Sequence, residues 1–205
     1  MLEAFIHGLV LALGLILPLG AQNVFVFNQG AAQPSLVRAM PVVITAALCD
    51  TLLILLAVMG VSLVVLTFTW IKTILFAAGF CFLAYMGWLT WNSRPGINGE
   101  THGSFSAKKQ VVFAASVSLF NPHAILDTIG VIGTSSLGYG GSEKWGFTIA
   151  CILVSWVWFF TLSLAGRTAG RLDTSGRLIR SLNRISAVII WLVAVYMAAN
   201  LPFLP

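Results

Sequence analysis

Six long apolar runs constrain the fold of this 205-residue chain more than any other feature. A bilayer core about 30 Å thick is spanned by roughly 20 apolar residues in an α-helix. The six runs that approach this length are Phe5–Phe27, Val42–Leu66, Thr73–Trp91, Val111–Gly133, Trp145–Ala165 and Ile185–Leu201. The sequence therefore predicts an all-α polytopic membrane protein with six transmembrane helices.

The composition excludes the main soluble classes of protein. Hydrophobic residues make up 59% of the chain and charged residues only 8%, whereas soluble domains average about 45–50% apolar and about 25% charged residues. This leaves too little polar surface for a cytosolic enzyme, a nucleic-acid-binding protein or a disordered chain. The three cysteines lie in apolar runs without metal-ligand spacing, which predicts small buried side chains. Neither a metal ion nor another cofactor is expected.

The basic residues predict how the helices are oriented. Nine of the eleven lysines and arginines fall in the first, third and fifth loops. They are Arg38, Arg94, Lys108, Lys109, Arg167, Arg171, Arg177, Arg180 and Arg184. The positive-inside rule places these loops in the cytoplasm and both chain termini outside. The arginines of segment 166–184 are predicted to contact anionic lipid headgroups.

The two halves of the chain share one spacing. Pro18 precedes Asn23 by five residues in the first run, and Pro122 precedes Asp127 by five residues in the fourth. Each half contributes three helices, so the two halves must enter the membrane from opposite sides. Transporters built from such inverted repeats place their substrate where helices are broken at corresponding positions.

The resulting prediction is two inverted three-helix repeats in a single transmembrane domain over 1–205. Repeat 1 covers about 1–91, a loop covers 92–110, and repeat 2 covers about 111–205. The first helix is expected to break at Pro18 and Gly20, and the fourth helix at Pro122, because proline removes a backbone hydrogen bond from a helix.

Asp50 and Asp127 are the only carboxylates inside the six runs. An acidic residue at the centre of a membrane helix costs about 2.5–3.5 kcal/mol on the insertion scale. No lysine or arginine lies inside a run to neutralise it. Each aspartate is then a protonated group bonded between helices, a hydrated carboxylate, or a carboxylate that takes a cation from outside the chain. Two such groups favour a cationic substrate or a proton.

Amide side chains lie beside both predicted helix breaks. Gln22 and Asn23 follow the first break, and Asn121 directly precedes Pro122. The start of a helix presents free N–H groups and a positive dipole, which can bind the α-carboxylate of an amino acid. The alternative is that these amides only bond one helix to another.

Three further features have both a functional and a structural interpretation. His123 could relay protons, because histidine titrates near neutral pH, or it could simply pack. Thr128 follows Asp127, although its hydroxyl can also bond its own helix. The aromatic segment Trp156–Phe160 could hold a cation against its rings, but anchoring in the lipid or at the interface is favoured.

The segments Ile16-Leu-Pro-Leu-Gly-Ala-Gln-Asn23 and Asn121-Pro-His-Ala-Ile-Leu-Asp-Thr128 are similar to the LysE/ArgO family of basic amino-acid exporters. Asp50-Thr51 and Ser155–Phe160 also resemble this family, and the matches follow in order over essentially the whole chain. One departure is that the family usually has Gly-Pro-Gln-Asn where this chain has Gly20-Ala-Gln-Asn23.

The resemblance implies a secondary transporter, and not an enzyme, that exports L-arginine or L-lysine across the bacterial inner membrane on an ion gradient. In this interpretation Asp50 and Asp127 neutralise the substrate cation or exchange it for protons. Gln22, Asn23 and Asn121 then orient the α-amino-acid end.

Two alternatives remain at this stage. The first is an exporter of a neutral amino acid or another small metabolite. The second is an intramembrane enzyme that uses the two aspartates as an acid–base pair. The expected partners are a small cationic amino acid and membrane lipids, with a homo-oligomer as a further candidate and no nucleic acid.

Overall fold

In the computed structural model of the protein, the described residues are 1–17, 20–60, 105–120 and 128–172. Single residues or short groups are also described from 77 to 92, at 125 and from 180 to 195. Within these ranges the regular elements are all helical. They are α1 (Leu2–Ile16), α2 (Ala21–Ala32), α3 (Leu36–Val58), α4 (Ala107–Leu119), a π-helix (Thr128–Gly133), α5 (Thr134–Ser136) and α6 (Gly141–Leu172).

The first apolar run is interrupted where the sequence predicts a break. α1 ends at Ile16, α2 begins at Ala21, and the two helices are bent by 79° relative to each other. Gly20 is the extended residue directly before α2. Pro18 lies outside the described residues, so its own contribution to the break stays a prediction.

Among the described residues, two helices are long and apolar enough to cross a membrane on their own. α3 has a mean hydropathy of 2.3 and α6 of 2.0 over their most apolar windows, and α1 with α2 makes a third span if the bent pair is counted as one. The third and sixth runs are described only at isolated residues, so the six-helix inverted repeat stays a prediction.

The predicted bounds of the second and fifth runs are wrong. α3 begins at Leu36, six residues before the predicted Val42, because Ser35 caps it by accepting a hydrogen bond from Arg38 N at 3.3 Å. α6 covers Gly141–Leu172 and extends beyond the predicted Trp145–Ala165 at both ends. Hydropathy marks the part of a helix inside the lipid, whereas the backbone continues as helix through polar end turns.

The fourth run, predicted as Val111–Gly133, is not one regular α-helix. α4 ends at Leu119, and the described chain resumes as a π-helix at Thr128. Pro122, the predicted breaking residue, lies outside the described residues. Short π-helical segments are rare and frequently occur at functional sites.

Described residues of the third and sixth runs contact each other. The indole Nε1 of Trp191 donates to the carbonyl oxygen of Ala84 at 3.2 Å, and the rings of Trp91 and Trp191 lie 5.6 Å apart. Ile190 packs with Ala21 at the start of α2. Ile190 of the sixth run therefore lies beside the helix break. Cys81 is exposed, so the prediction of three buried cysteines is wrong at this position.

The two ends of the helical bundle have different chemistry. At one end the N-terminal ammonium pairs with Glu143 at 2.9 Å, and His7 is hydrogen-bonded to the hydroxyl of Tyr139 at 2.8 Å. At the other end Arg167 donates to the carbonyl oxygens of Gln33 and Pro34. Arg167 thus satisfies carbonyls after α2 as well as adding positive charge, a role that the predicted lipid contact did not include.

Reporter fusions can test which end faces the cytoplasm. We expect fusions at Asn98 and Gly176 to behave as cytoplasmic and a fusion at Gly140 as external. Asn98 and Gly176 lie in the two loops that carry most of the basic residues, and such loops face the cytoplasm. An alkaline phosphatase and green fluorescent protein pair at each site provides the measurement. Cytoplasmic behaviour at Gly140 would contradict the predicted orientation.

A buried glutamine repairs the backbone of α3 next to a proline. Pro41 lies inside α3 and cannot donate a backbone hydrogen bond. Gln110 of α4 is 1% exposed, and its Nε2 donates to Arg38 O at 2.9 Å while its Oε1 accepts from Val42 N at 3.3 Å. It also donates to Phe105 O at 2.9 Å, so one side chain ties together α3, α4 and the residue that lies two positions before α4.

Replacing this glutamine should destabilise the protein. Gln110→Leu keeps similar bulk but removes a partner from Arg38 O and Val42 N, at a cost of about 1–3 kcal/mol for each buried group left unpaired. We expect the melting temperature in detergent to fall by roughly 4 °C or more. The control is Ser116→Ala on the same helix, where an exposed hydroxyl bonds only its own backbone at Val112. Equal melting temperatures for the two variants would contradict this role.

Candidate functional site

Asp50 lies in the middle of α3 and is bonded by neighbouring helices. Gln22 of α2 donates from Nε2 to Asp50 Oδ1 at 3.2 Å, and Ser155 of α6 donates from Oγ to Asp50 Oδ2 at 3.0 Å. Gln22 and Ser155 are buried, and Asp50 is half-buried. We call these three residues the Asp50 cluster. It joins three helices through one carboxylate.

Both donors in the Asp50 cluster are neutral. Among the described residues, the one ion pair joins the N-terminus to Glu143, far along the bundle from Asp50. Within the same ranges, His, Cys, Asp and Glu side chains form no group of three that could hold a metal ion. The described partners of the Asp50 carboxylate are therefore both uncharged side chains.

Asn23 connects the helix break to α6. Its Nδ2 donates to the carbonyl oxygen of Ile16 at 2.8 Å, and its Oδ1 accepts from the indole Nε1 of Trp158 at 3.2 Å. Ile16 is the last residue of α1, so the amide of Asn23 reaches back across the interruption. We call this arrangement the Asn23 clamp. It occupies the same α2–α6 interface as the Asp50 cluster.

Glycines allow α2 and α6 to approach with their backbones in contact. A Cβ atom at Gly166 would overlap the carbonyl oxygen of Phe27, and a Cβ atom at Gly30 would overlap that of Ser163. A Cβ atom at Gly170 would likewise overlap the carbonyl oxygen of Ala31. This close packing lies about two helical turns from Gln22 and Asn23, and it holds α6 against them.

The structure describes three of the residues predicted for the site, and it adds contacts from two residues of α6. Gln22 contacts Asp50, and Asn23, the next residue of α2, contacts Ile16 and Trp158 instead. Ser155 and Trp158 complete the contacts from α6. They are three residues apart and share one helix face, a spacing that could have drawn attention to them.

The aromatic segment on α6 divides between two environments. Trp156, Val157 and Phe160 are exposed on the outside of the bundle, as the favoured anchoring interpretation requires, whereas Phe159 is buried. Trp158 is half-buried and turned toward Asn23. Anchoring is therefore the wrong interpretation for Trp158.

The second half of the predicted site is mostly outside the described residues. This applies to Asp127, Asn121, His123 and the break residue Pro122. Thr128 is described: it is half-buried and opens the π-helix. That π-helix packs against α3, where Ile129 clusters with Leu53, one turn beyond Asp50. The described contacts do not join the Thr128 side chain to the Asp50 cluster.

Comparison with known proteins identifies the family. A family model described as a LysE type translocator matches residues 13–201. The chain belongs to the LysE family. Members of this family are integral membrane proteins that export amino acids, which agrees with the apolar spans of α3 and α6.

Individual relatives match over nearly the full length of the chain. A Bacillus subtilis (strain 168) protein, YisU, named provisionally as an amino-acid transporter, is 58% identical over 98% of this chain and 91% of its own. An arginine exporter protein, ArgO, from Enterobacter sp. (strain 638) is 32% identical over 97% of this chain and 94% of its own. ArgO from Salmonella schwarzengrund (strain CVM19633) is 30% identical over 97% and 94%. No solved structure matches this chain significantly.

Proposed function

We propose that this protein exports cationic amino acids, L-arginine or L-lysine, across the plasma membrane in exchange for ions. The observation that carries the proposal is Asp50, a membrane-depth carboxylate whose described partners are all neutral. A negative charge in this setting is costly without a cation or a proton. The guanidinium of arginine or the ammonium of lysine supplies that cation.

The start of α2 supports recognition of the other end of the substrate. α2 begins inside the first apolar run, with Gly20 as an N-cap that makes no side-chain hydrogen bond. The first N–H groups of a helix have no partner within it and carry the positive end of the helix dipole. An α-carboxylate placed there lies on the same helix as Gln22, which contacts Asp50. One substrate can then bind through both of its ends.

Ala21 is consistent with this arrangement. It is the first residue of α2, a position where proline is favoured and where similar exporters usually have it. Because alanine retains its N–H, this chain offers one more donor at the break than a proline would. In our proposal this additional donor faces the substrate carboxylate.

Asp127, Asn121, His123 and Thr128 complete the proposal from the second half. In the inverted repeat that the sequence predicts, Asp127 occupies the position in the second half that Asn23 occupies in the first. Each residue follows a proline by five residues. We propose that it provides a second acidic position for the substrate or for a coupling proton. His123 and Asn121 would act beside it at the second break.

The side of the site nearer the basic end of the bundle is closed by packing. The rings of Phe25 and Phe113 lie 3.9 Å apart, and Phe105 lies 5.3 Å from Phe113. Buried Gln29 and Gln33 are bonded to each other and to the backbone of Phe105. Loading of substrate from this end requires these side chains to separate, as alternating access demands.

A flux assay tests the proposed function directly. The purified protein is reconstituted into proteoliposomes that are preloaded with radiolabelled arginine, lysine, leucine or serine. These vesicles should release arginine and lysine faster than protein-free vesicles do. Release should respond to an imposed proton or sodium gradient. Release of leucine or serine without arginine or lysine would contradict the proposed substrate class.

Export of a neutral amino acid is the second candidate, and one observation favours it. Both oxygens of Asp50 already accept hydrogen bonds from the protein, so the carboxyl group could serve as a proton site alone. The same flux assay separates the two candidates. Membership of a translocator family favours either of them over the alternative of an intramembrane enzyme.

We further propose that exposed arginines at the basic end bind anionic lipid. Arg171 and Arg180 are exposed, whereas Arg167 is bonded to the chain after α2 and Arg184 lies 5.5 Å from the ring of Trp91. Formation of a homo-oligomer, a candidate from the sequence alone, stays a proposal.

A further inference from the structure

The Asn23 clamp joins three parts of the chain through two hydrogen bonds. Trp158 Nε1 donates to Asn23 Oδ1 at 3.2 Å, and Asn23 Nδ2 donates to Ile16 O at 2.8 Å. Trp158 is on α6, Asn23 is in the first turn of α2, and Ile16 ends α1. A residue of the second half of the chain is thus connected to the break in the first half.

The carbonyl of Ile16 needs a partner from outside its own helix. The last four carbonyl groups of a helix lack intrahelical donors, and an unpaired carbonyl at membrane depth is costly. Asn23 supplies the donor from across the break. The clamp thereby fixes where α2 begins relative to the end of α1.

Trp158 and Ile16 hold the Asn23 amide in one orientation from its two ends. The two ends of an asparagine amide have the same shape but opposite hydrogen-bonding roles, whereas an indole N–H can only donate. With Trp158 donating, the oxygen of Asn23 must face α6 and the amino group must face Ile16. Without the Trp158 donor, the amide loses one of the bonds that select this orientation.

The Trp158 ring packs against the buried cluster that includes Phe25 and Phe159, and its hydrogen bond adds a directional contact to that packing. One side of it lines a cavity of about 350 Å³ between α1 and α6, together with apolar side chains such as Leu9, Leu13 and Val154. A ring that borders open space on one side is held more firmly when a directional bond adds to its apolar contacts. The hydrogen bond to Asn23 is such a bond.

We propose that Trp158 is a positioning residue for transport, which acts by orienting Asn23 and so sets the geometry of the helix break beside Gln22. The inference rests on the proposed function in one respect: the break must be where substrate binds. The role of Trp158 in the clamp itself does not depend on which substrate is carried.

A double-mutant cycle between Trp158 and Asn23 tests the proposal. Trp158→Phe keeps an aromatic ring and removes the N–H, and Asn23→Ala removes the amide. If Trp158 acts through Asn23, the double variant should behave like Asn23→Ala alone, because effects carried through one bond do not add. We expect Trp158→Phe to reduce efflux per folded molecule roughly three- to tenfold.

Trp156→Phe is the matched control. It removes an indole N–H from the same helix two residues away, where the partner is Thr51 Oγ1 at 3.1 Å. Thr51 also donates to Ala47 O at 2.7 Å, so its hydroxyl keeps a partner after the change. Efflux should stay within about twofold of wild type, because only an exposed hydrogen bond is lost.

Hydrogen exchange gives a second measurement that needs no substrate. Peptides covering 16–24 should exchange faster in Trp158→Phe and in Asn23→Ala, to the same extent, and unchanged in Trp156→Phe. Asn23→Asp should also exchange faster, because a carboxylate accepts from Trp158 but cannot donate to Ile16 O. If Trp158→Phe accumulates too poorly to be measured, hydrogen exchange in Asn23→Asp still tests whether the Asn23 clamp holds the helix break.

The outcomes separate this inference from the proposed function. Wild-type protein that carries only neutral amino acids would overturn the proposed substrate class, while the cycle measured with those amino acids still tests Trp158. Additive effects of the two substitutions would overturn the inference, since ring packing would then explain the loss. Unchanged exchange over 16–24 in Trp158→Phe or in Asn23→Asp would also overturn it.

Discussion

Asp50→Asn should abolish most export of arginine and lysine while the protein accumulates normally. The substitution keeps the size of the side chain and its ability to contact Gln22 and Ser155, but it deletes the negative charge. Hydrogen bonds to a charged group are worth about 1.5–3 kcal/mol, so efflux should fall about tenfold or more. Membrane insertion should not suffer, because a neutral amide is easier to bury than a carboxylate.

The control for Asp50→Asn is Glu143→Gln. It removes one carboxylate charge at the end of the bundle, where Glu143 forms an exposed pair with the N-terminus. Such a pair contributes little, so efflux should remain near wild type. Efflux in proteoliposomes, normalised to protein incorporated, is the measurement. Wild-type efflux by Asp50→Asn would show that the residue is a protonated structural group, and the site assignment would fail.

Asp127→Asn extends the same prediction to the second half of the chain. We expect an effect at least as large as that of Asp50→Asn, because Asp127 follows the second predicted break. Efflux near wild type in Asp127→Asn alone would restrict the substrate site to the α2–α3–α6 interface.

Residue chemistry alone predicts three of the residues that form the candidate site. Asp50 was predicted because a charge inside an apolar run has no structural explanation without a partner. Gln22 and Asn23 were predicted because they directly follow a helix-breaking segment. The comparisons confirm the family that these motifs indicated. The structure then shows that Gln22 and Asn23 serve different partners, one at Asp50 and the other at Ile16.

The spacing of Ser155 and Trp158 places them on one face of α6, but it does not predict what that face contacts. Whether Ser155 and Trp158 face lipid or Asp50 depends on the rotation of α6 about its axis, and its apolar residues surround it on all sides. That rotation is set by contacts of Gly166 and Gly170 with the backbone of α2. The insertion of Gln110 into α3 similarly depends on a tertiary contact between distant segments.

The bounds of the apolar runs do not coincide with the first residues of the helices, and the reason is physical. Ser35 and Ser106 each cap a helix by accepting from the backbone N–H three residues later. These capping serines lie in polar loops, which the apolar runs do not include. The six-helix inverted repeat remains a prediction, because the third and sixth runs are described only at isolated residues.

Gly166→Val should disrupt both the fold and the site, because this glycine permits the closest approach of α6 to α2. Any side chain at this position would overlap the carbonyl oxygen of Phe27, which is backbone and cannot rotate away. Overpacking of this kind typically costs 1–3 kcal/mol or more. We expect Gly166→Ala to lower the melting temperature in detergent by roughly 5 °C and Gly166→Val to lower it further.

The matched control is Gly146→Ala on the same helix, where the nearest atom to a new Cβ is Met1 O at 3.6 Å, an ordinary contact. Its melting temperature and efflux should equal those of wild type. Gly166→Ala should in addition lose efflux per folded molecule, because forcing α6 outward lengthens the bonds from Ser155 to Asp50 and from Trp158 to Asn23. Stability and efflux equal to those of Gly146→Ala would mean that the α2–α6 contact neither holds the bundle together nor aligns the site.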